Sequence, residues 1–228
     1  MSETVFAFPT ATGTHAIAAP IAALRLRGEL PGASGYDRAA HLFRKLQFEG
    51  ATALDLLPAV FPNAWMVNAR ATSHTFAAWS AMSETWDTLL TALPFDGSLF
   101  DFASLDHDAI EKTMWALCTA PGATLTSLTK VLALLRPQLV PIAHDKVVAV
   151  VTGRVAMPTS SDTETCTLAD FKALFSWFAK NACEKENELI ALARNHELAT
   201  LDAPQVLDRL LWSGFCDPRH AHAVMSAP

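Results

Sequence analysis

Residues 121–148 read PGATLTSLTKVLALLRPQLVPIAHDKVV, and the architecture turns on this stretch. Pro121-Gly122 is a turn signal, because proline presets φ and glycine admits the left-handed backbone of a tight turn. The turn opens a threonine-capped, apolar-rich run that predicts a helix of about three turns. Proline cannot continue a helix, so this one stops at Arg136-Pro137. A short apolar segment follows, and Asp145 then sits between His144 and Lys146. The order is turn, helix, apolar segment, acidic residue.

Upstream, DRAAHLFRKLQF from Asp37 places Ala40, Phe43, Leu46 and Gln47 on a modest stripe, with Arg44 and Lys45 on the other side. A second helix is expected over 52–61, starting at Thr52 and bent or ended by Pro58. Helices over 69–82 and 83–93 follow, the latter with Ser83 as N-cap, Glu84 in its first turn, and Trp86, Leu89, Leu90 and Leu93 on one face. A further helix spans 106–119, where Asp106-His107-Asp108 reads as acidic capping. Ile110, Met114, Leu117 and Cys118 form its inner face.

Downstream, residues 153–166 read as a surface loop. Thr167 and Asp170 make a capping pair for the longest helix, which runs towards Asn195. Asp202 and Gln205 open the last helix, with Pro204 in its first turn, Gly214 past its end, and Val206, Leu207, Leu210 and Leu211 on one face. Strand alternation is scarce, and its best example, residues 147–151, is equally a helix. The fold class is all-α. The expected organisation is an irregular arm over 1–35, with one short extended piece, a helical domain over 36–214 with room for two lobes around a cleft, and a frayed polar tail over 215–228.

Bulk composition bounds the function. The 228 residues are 51% hydrophobic and 18% charged, which is the balance of a packed globule. A net charge of −6 argues against strong nonspecific binding of polyanions, since neutralising phosphates calls for a basic field. Cys118, Cys166, Cys183 and Cys216 form no CxxC pair, and Cys118 and Cys183 are expected as buried apolar thiols on helices. No stretch approaches the ~18 apolar residues of a membrane span, and AIAAPIAAL at 16–24 carries its arginines on the wrong side for export. A cytoplasmic protein with no membrane partner is the expectation. Walker, GxGxxG, GxSxG and HExxH motifs are absent, so no cofactor is expected.

The 121–148 segment resembles the core of the helix-hairpin-helix DNA glycosylases. In that family a hairpin's backbone amides hold a phosphate, and an aspartate about two dozen residues on serves the chemistry. Gly122 matches the first hairpin glycine and precedes Asp145 by 23 residues, while Thr124 replaces the second glycine. No lysine stands where bifunctional members carry their Schiff-base nucleophile, since Lys130 lies a turn too late. The resemblance therefore implies a monofunctional or degenerate glycosylase that binds or acts on duplex DNA. Asp145 would be the catalytic carboxylate, stabilising an oxocarbenium charge or orienting water. The amides of Gly122, Thr124 and Thr126 would contact phosphate, and Lys130, Arg136 and Lys146 would supply positive potential.

A second resemblance rests on LTKVLALLRPQLVPIAHDKVV (128–148), VLDRLLWSG (206–214) and LLTALP (89–94). These phrases are similar to an uncharacterised bacterial domain-of-unknown-function family, which would cover most of residues 50–214. The class-level rival to an enzyme is a non-catalytic helical module that binds a protein partner. A third alternative comes from His144-Asp145, which suggests an HD-type metal phosphohydrolase, with His74 or His107 and Asp202 or Asp208 completing the ligands. Cys216, His220 and His222 could hold zinc, although a closed site wants four ligands. No metal is expected in the leading reading. The tryptophans at 65, 79, 86, 115, 177 and 212 read as core anchors.

Overall fold

Ten α-helices, one short 3-10 helix and a small antiparallel sheet make up the described chain. The computed structural model describes residues 6–11, 13–17, 33–65, 71–153, 167–194, 201–216 and 224–226. The chain divides into two units, one formed by Pro31–Ile142 and the other by Met1–Leu30 together with Ala143–Pro228.

Among its described residues the 31–142 unit holds helices and no strand: α1 (Ala33–Phe48), α2 (Ala53–Trp65), α3 (Ser73–Ser80), α4 (Ser83–Ala92), a 3-10 turn (Leu99–Ser104), α5 (His107–Cys118) and α6 (Leu125–Leu135). Helix α6 is the predicted helix of the 121–148 stretch, and it is the hub. It packs on α1, α2 and α5, and every residue except Thr126 is buried. A helix that is apolar nearly all round has no stable place but the interior. Beside it Trp79 and Trp86 are fully buried and meet edge to face at 5.9 Å, with Phe61 stacked on Phe76 at 5.0 Å. The indole N–H groups donate inward, Trp79 Nε1 to Leu117 O and Trp86 Nε1 to Trp79 O, so these rings are buried without orphaned donors.

Local expectations need correcting at four places here. Helix α2 runs through Pro58 and Pro62 to Trp65. Both prolines are exposed, while Leu56, Leu57, Val60, Phe61 and Ala64 are buried. Burial of that face offsets the backbone bonds the prolines remove. Helix α3 begins at Ser73, not Ala69, because Thr72 and Thr75 close a capping box there, and residues 69 and 70 lie outside the described residues. Ser83 is the first helical residue of α4, one position inside the N-cap Met82. Trp115 is 61% exposed and is no core anchor. Asp106 does cap α5 as its position predicts, since its carboxylate accepts from the Ala109 N–H at 3.0 Å.

The second unit holds β1 (Phe6–Thr10), β2 (Gly13–Ile17), α7 (Asp145–Thr152), α8 (Leu168–Glu184), α9 (Glu186–Arg194), α10 (Ala203–Cys216) and β3 (Val224–Ser226). The strands form an antiparallel sheet in the order β1-β2-β3, with Phe6 opposite Ile17 and Phe8 opposite His15. Phe6, Phe8 and Ile17 are buried, the period-2 signature of a sheet with one face on a core. Phe8 meets Trp177 of α8 edge to face at 5.7 Å, and Trp177 Nε1 donates to Pro9 O at 2.8 Å.

The chain is mostly helical, in keeping with the all-α expectation, and the small sheet is an addition to it. Residues 6–17 form a hairpin instead of one extended piece, and residues 224–226 of the expected frayed tail pair with β2. The predicted long helix over 167–195 is two helices, because the backbone leaves helical geometry at Lys185 (φ −116°, ψ 16°). Its Thr167–Asp170 capping box is present. Gly214 lies inside α10, not beyond it. Cys183 is exposed and Cys118 half-buried, so neither is a fully buried thiol. Of the expected loop over 153–166, Gly153 is the left-handed C-cap of α7 and residues 154–166 lie outside the described residues.

Candidate functional site

The predicted site begins where α5 ends. After the C-cap Thr119, the Ala123 N–H donates to Ala120 O at 2.9 Å and closes a tight turn. Gly122 takes φ +70°, a left-handed backbone that side chains other than hydrogen rarely adopt. Thr124 is the N-cap of α6: its Oγ1 accepts the Ser127 N–H at 3.0 Å, and its own N–H donates to Ser127 Oγ at 2.8 Å. Thr75 Oγ1 donates to Pro121 O at 2.7 Å and ties the turn to the head of α3. A Cβ added to Gly122 would lie 3.0 Å from that same Thr75 Oγ1.

The Thr124 N–H is engaged by a side chain of its own helix, which makes it a poor phosphate donor. Thr126 stands half-buried in the first turn of α6, its carbonyl accepting from Thr129 Oγ1 at 3.2 Å.

The expected cations differ from their predicted role more sharply. Lys130 is 9% exposed and Arg136 4% exposed, because no side of α6 faces water. The Lys130 carbonyl accepts the Tyr36 hydroxyl of α1 at 2.6 Å. Arg136 Nε donates to Leu93 O at 2.6 Å, and Nη1 donates to Gln47 Oε1 and to Leu135 O. The guanidinium also lies over the Phe95 ring, 5.8 Å from its centroid. Burial pushes its pKa down to about 10, which leaves it charged at neutral pH. Both side chains are buried, not presented on an open face.

Asp145 and Lys146 belong to the other unit, as the first residues of α7. The Asp145 side chain is 61% exposed, and its Oδ1 accepts from His144 Nδ1 at 2.7 Å and from the Lys146 N–H at 2.9 Å. The His144 hydrogen bond is the main cause that holds its pKa at about 2; partial burial opposes it, and charge and the Lys146 N–H assist. Such a carboxylate can accept hydrogen bonds or face a developing cation, but at neutral pH it has no proton to give. Lys146 is half-buried.

Among the described residues no group of three or more His, Cys, Asp or Glu side chains is arranged to hold a metal ion. The ligands expected around His144-Asp145 divide between the units, His74 and His107 in one and Asp202 and Asp208 in the other. The side chains of Cys216, His220 and His222 lie outside the described residues. No helix among the described residues is long and apolar enough to cross a membrane.

Tyr36, Gln47, Thr75 and Gln138 hold this region together, and the sequence pattern does not single them out as partners. Gln47 carries one signal, since a glutamine on an otherwise apolar stripe needs a buried partner. Gln138 donates to Phe95 O at 2.6 Å, and nothing local in the sequence announces that contact.

Neither a curated protein nor a solved structure matches the chain. A family profile does match residues 33–214, which run from the first residue of α1 into α10 and include every residue placed above from Tyr36 to Asp208. The chain belongs to that family, the family of unknown function DUF6308.

Proposed function

We propose that this chain is a non-catalytic helical module that binds a protein partner. The observation that supports the reading best is Arg136, whose Nε and Nη1 donate to main-chain and side-chain oxygens within the 31–142 unit while the residue is 4% exposed. A groove for duplex DNA needs cations free to displace the counterions of phosphates. Arg136 and Lys130 are committed to the interior, and the net charge of −6 adds long-range repulsion of a polyanion.

One observation favours the second reading, a helix-hairpin-helix-glycosylase-like protein acting on DNA. Asp145 is an exposed, ionised carboxylate at the head of a helix, 23 residues after a left-handed glycine turn. That is the charge state a monofunctional glycosylase needs beside an oxocarbenium ion.

Fluorescence anisotropy decides between them. A short duplex carrying an abasic-site analogue and an undamaged duplex are titrated with the protein across a range of salt. The module reading expects no saturable binding to either duplex at low salt. Selective, salt-sensitive binding to the abasic duplex, retained by Asp145→Asn, overturns it in favour of the glycosylase-like reading.

A further inference from the structure

The outward face of α1 presents two exposed cations, Arg38 and Lys45, against one exposed carboxylate, Glu49, in this acidic chain. Arg38, His41, Leu42, Lys45, Phe48 and Glu49 are all exposed. At 100° per residue these six fall within about 120° of the helix circumference. Their opposite face, Tyr36, Ala39, Ala40 and Phe43, is buried in the unit. The stripe is both apolar and basic. Leu42 is 50% exposed and Phe48 70% exposed, among the largest exposures of apolar side chains in the protein. Lys45 pairs loosely with Glu49 at 3.7 Å, with both side chains more than half exposed, and Arg38 has no ion pair among the described residues.

Phe48 is exposed but not loose. Its ring meets Phe95 edge to face at 4.7 Å, and the Arg44 guanidinium lies 5.9 Å from its centroid. A pre-positioned aromatic flanked by cations is the arrangement of an interface anchor, because little side-chain entropy is lost when it is covered.

We propose that this face of α1 docks an acidic helical segment of a partner protein that presents apolar residues at helical spacing. The proposal rests on the protein-partner reading and names its surface. Charge complementarity selects the occupant: Arg38 and Lys45 ask for carboxylates, while Leu42 and Phe48 ask for apolar side chains at the i, i+3, i+4, i+7 spacing of a facing helix. A nucleic acid is disfavoured because so few cations neutralise too few phosphates, and stacked apolar side chains gain little from a duplex exterior. A membrane surface is disfavoured because the wide apolar face of α1 is the buried one.

The test uses the full chain and three fluorescent peptides of about 15 residues. The first is an acidic helical peptide with Leu at helical spacing, the second replaces its Glu by Gln, and the third keeps the Glu but replaces its Leu by Ser. Binding of the first peptide alone is expected, weakening several-fold between about 50 and about 200 mM salt. Arg38→Glu with Lys45→Glu should weaken it by about tenfold or more, and Phe48→Ser by about fivefold or more. Asp87→Lys, an exposed change on α4, should leave it unchanged. All are surface changes, and circular dichroism checks that helicity is intact.

Four results would each overturn the proposal: no binding of the first peptide at low salt, equal binding of the Gln peptide, equal binding by the charge-reversed variant, or a preference for anionic vesicles lost in that variant. A concentration-dependent dimer that the same variants dissolve would also overturn it, assigning the face to a second copy. If the peptides fail and the duplexes also go unbound, the protein-partner reading stands and α1 loses only its role as the surface. Duplex binding removes both.

Discussion

Arg136 donates its Nε–H to the carbonyl oxygen of Leu93 at 2.6 Å, across 43 residues of chain. Leu93 is the C-cap of α4, so the guanidinium satisfies one of the carbonyls that every helix leaves unpaired at its end. The Nη1 group reaches Gln47 near the end of α1 and Leu135 in the last turn of α6. One buried side chain therefore ties three helix ends together, which is why a residue that reads as a surface cation acts as an internal fastener.

Removing it should be costly. Arg136→Met keeps the apolar stem but leaves Leu93 O and Gln47 Oε1 without their donor. The expected loss is about 2–4 kcal/mol, from one buried and one half-buried acceptor each worth about 1–3 kcal/mol, partly offset by removal of a buried charge. Arg136→Lys should recover little of it, because an ammonium cannot reproduce the fork of a guanidinium. Chemical denaturation of both variants checks this, and a loss below ~1 kcal/mol for Met would contradict the fastener role.

Asp145 makes a prediction in pH. Its folded pKa of about 2 lies below its unfolded value of 3.8, so the folded state favours the ionised form. The stabilisation is fully present above the unfolded value and disappears as the pH falls through about 2. Because the side chain is 61% exposed, screening discounts it to about 1 kcal/mol or less. Asp145→Asn should be slightly less stable than the parent at neutral pH and indistinguishable from it in strong acid. His144→Ala should move the Asp145 titration, followed by NMR, back up towards the ordinary carboxylate range. An unmoved titration would mean that His144 is not the main cause.

The turn at Gly122 combines two constraints. Gly122→Ala must hold a left-handed backbone and also bring a Cβ to 3.0 Å from a hydroxyl that is itself fixed to Pro121 O. A loss of about 1–2 kcal/mol is expected from the backbone alone, with crowding on top. Thermal unfolding would show it, and an unchanged melting temperature would mean the turn relaxes freely.

Helix α2 predicts a gain. Pro58 is exposed in a helix interior, where it removes a backbone hydrogen bond and crowds the preceding turn. Pro58→Ala should stabilise by about 1–2 kcal/mol, less than the full ~3 kcal/mol propensity difference because the unfolded chain also gains freedom. A destabilised variant would show that the proline ring packs on something it was not expected to touch.

Much of this architecture is legible in the amino-acid sequence. Several features controlled over three or four residues agree with the local pattern: the Thr167–Asp170 box, the Asp106 cap, the turn at Pro121-Gly122 and the apolar face of α10 are where periodicity and capping put them, whereas the Thr72–Thr75 box and the Met82 N-cap are not. Pattern and fold also part where a local preference is outweighed from afar. Burial of Val60, Phe61 and Ala64 carries α2 past two prolines, and β1 and β2 gain their strand character by burying Phe6, Phe8 and Ile17. The candidate site divides the same way, since its turn and its helix head at Asp145 are local features.

Residue order alone dictates that most of the chain is helical, the turn and helix of the 121–135 stretch, and the caps at Asp106 and Thr167. Tertiary packing is what puts Lys130 and Arg136 inside while Phe48 and Trp115 stand out in solvent. The physical reason is reach. Long side chains follow whatever acceptors and surfaces the fold brings near them, and the acceptors of Arg136 on α4 and α1 lie 43 and 89 residues away in the chain. No local pattern encodes a distance of that kind.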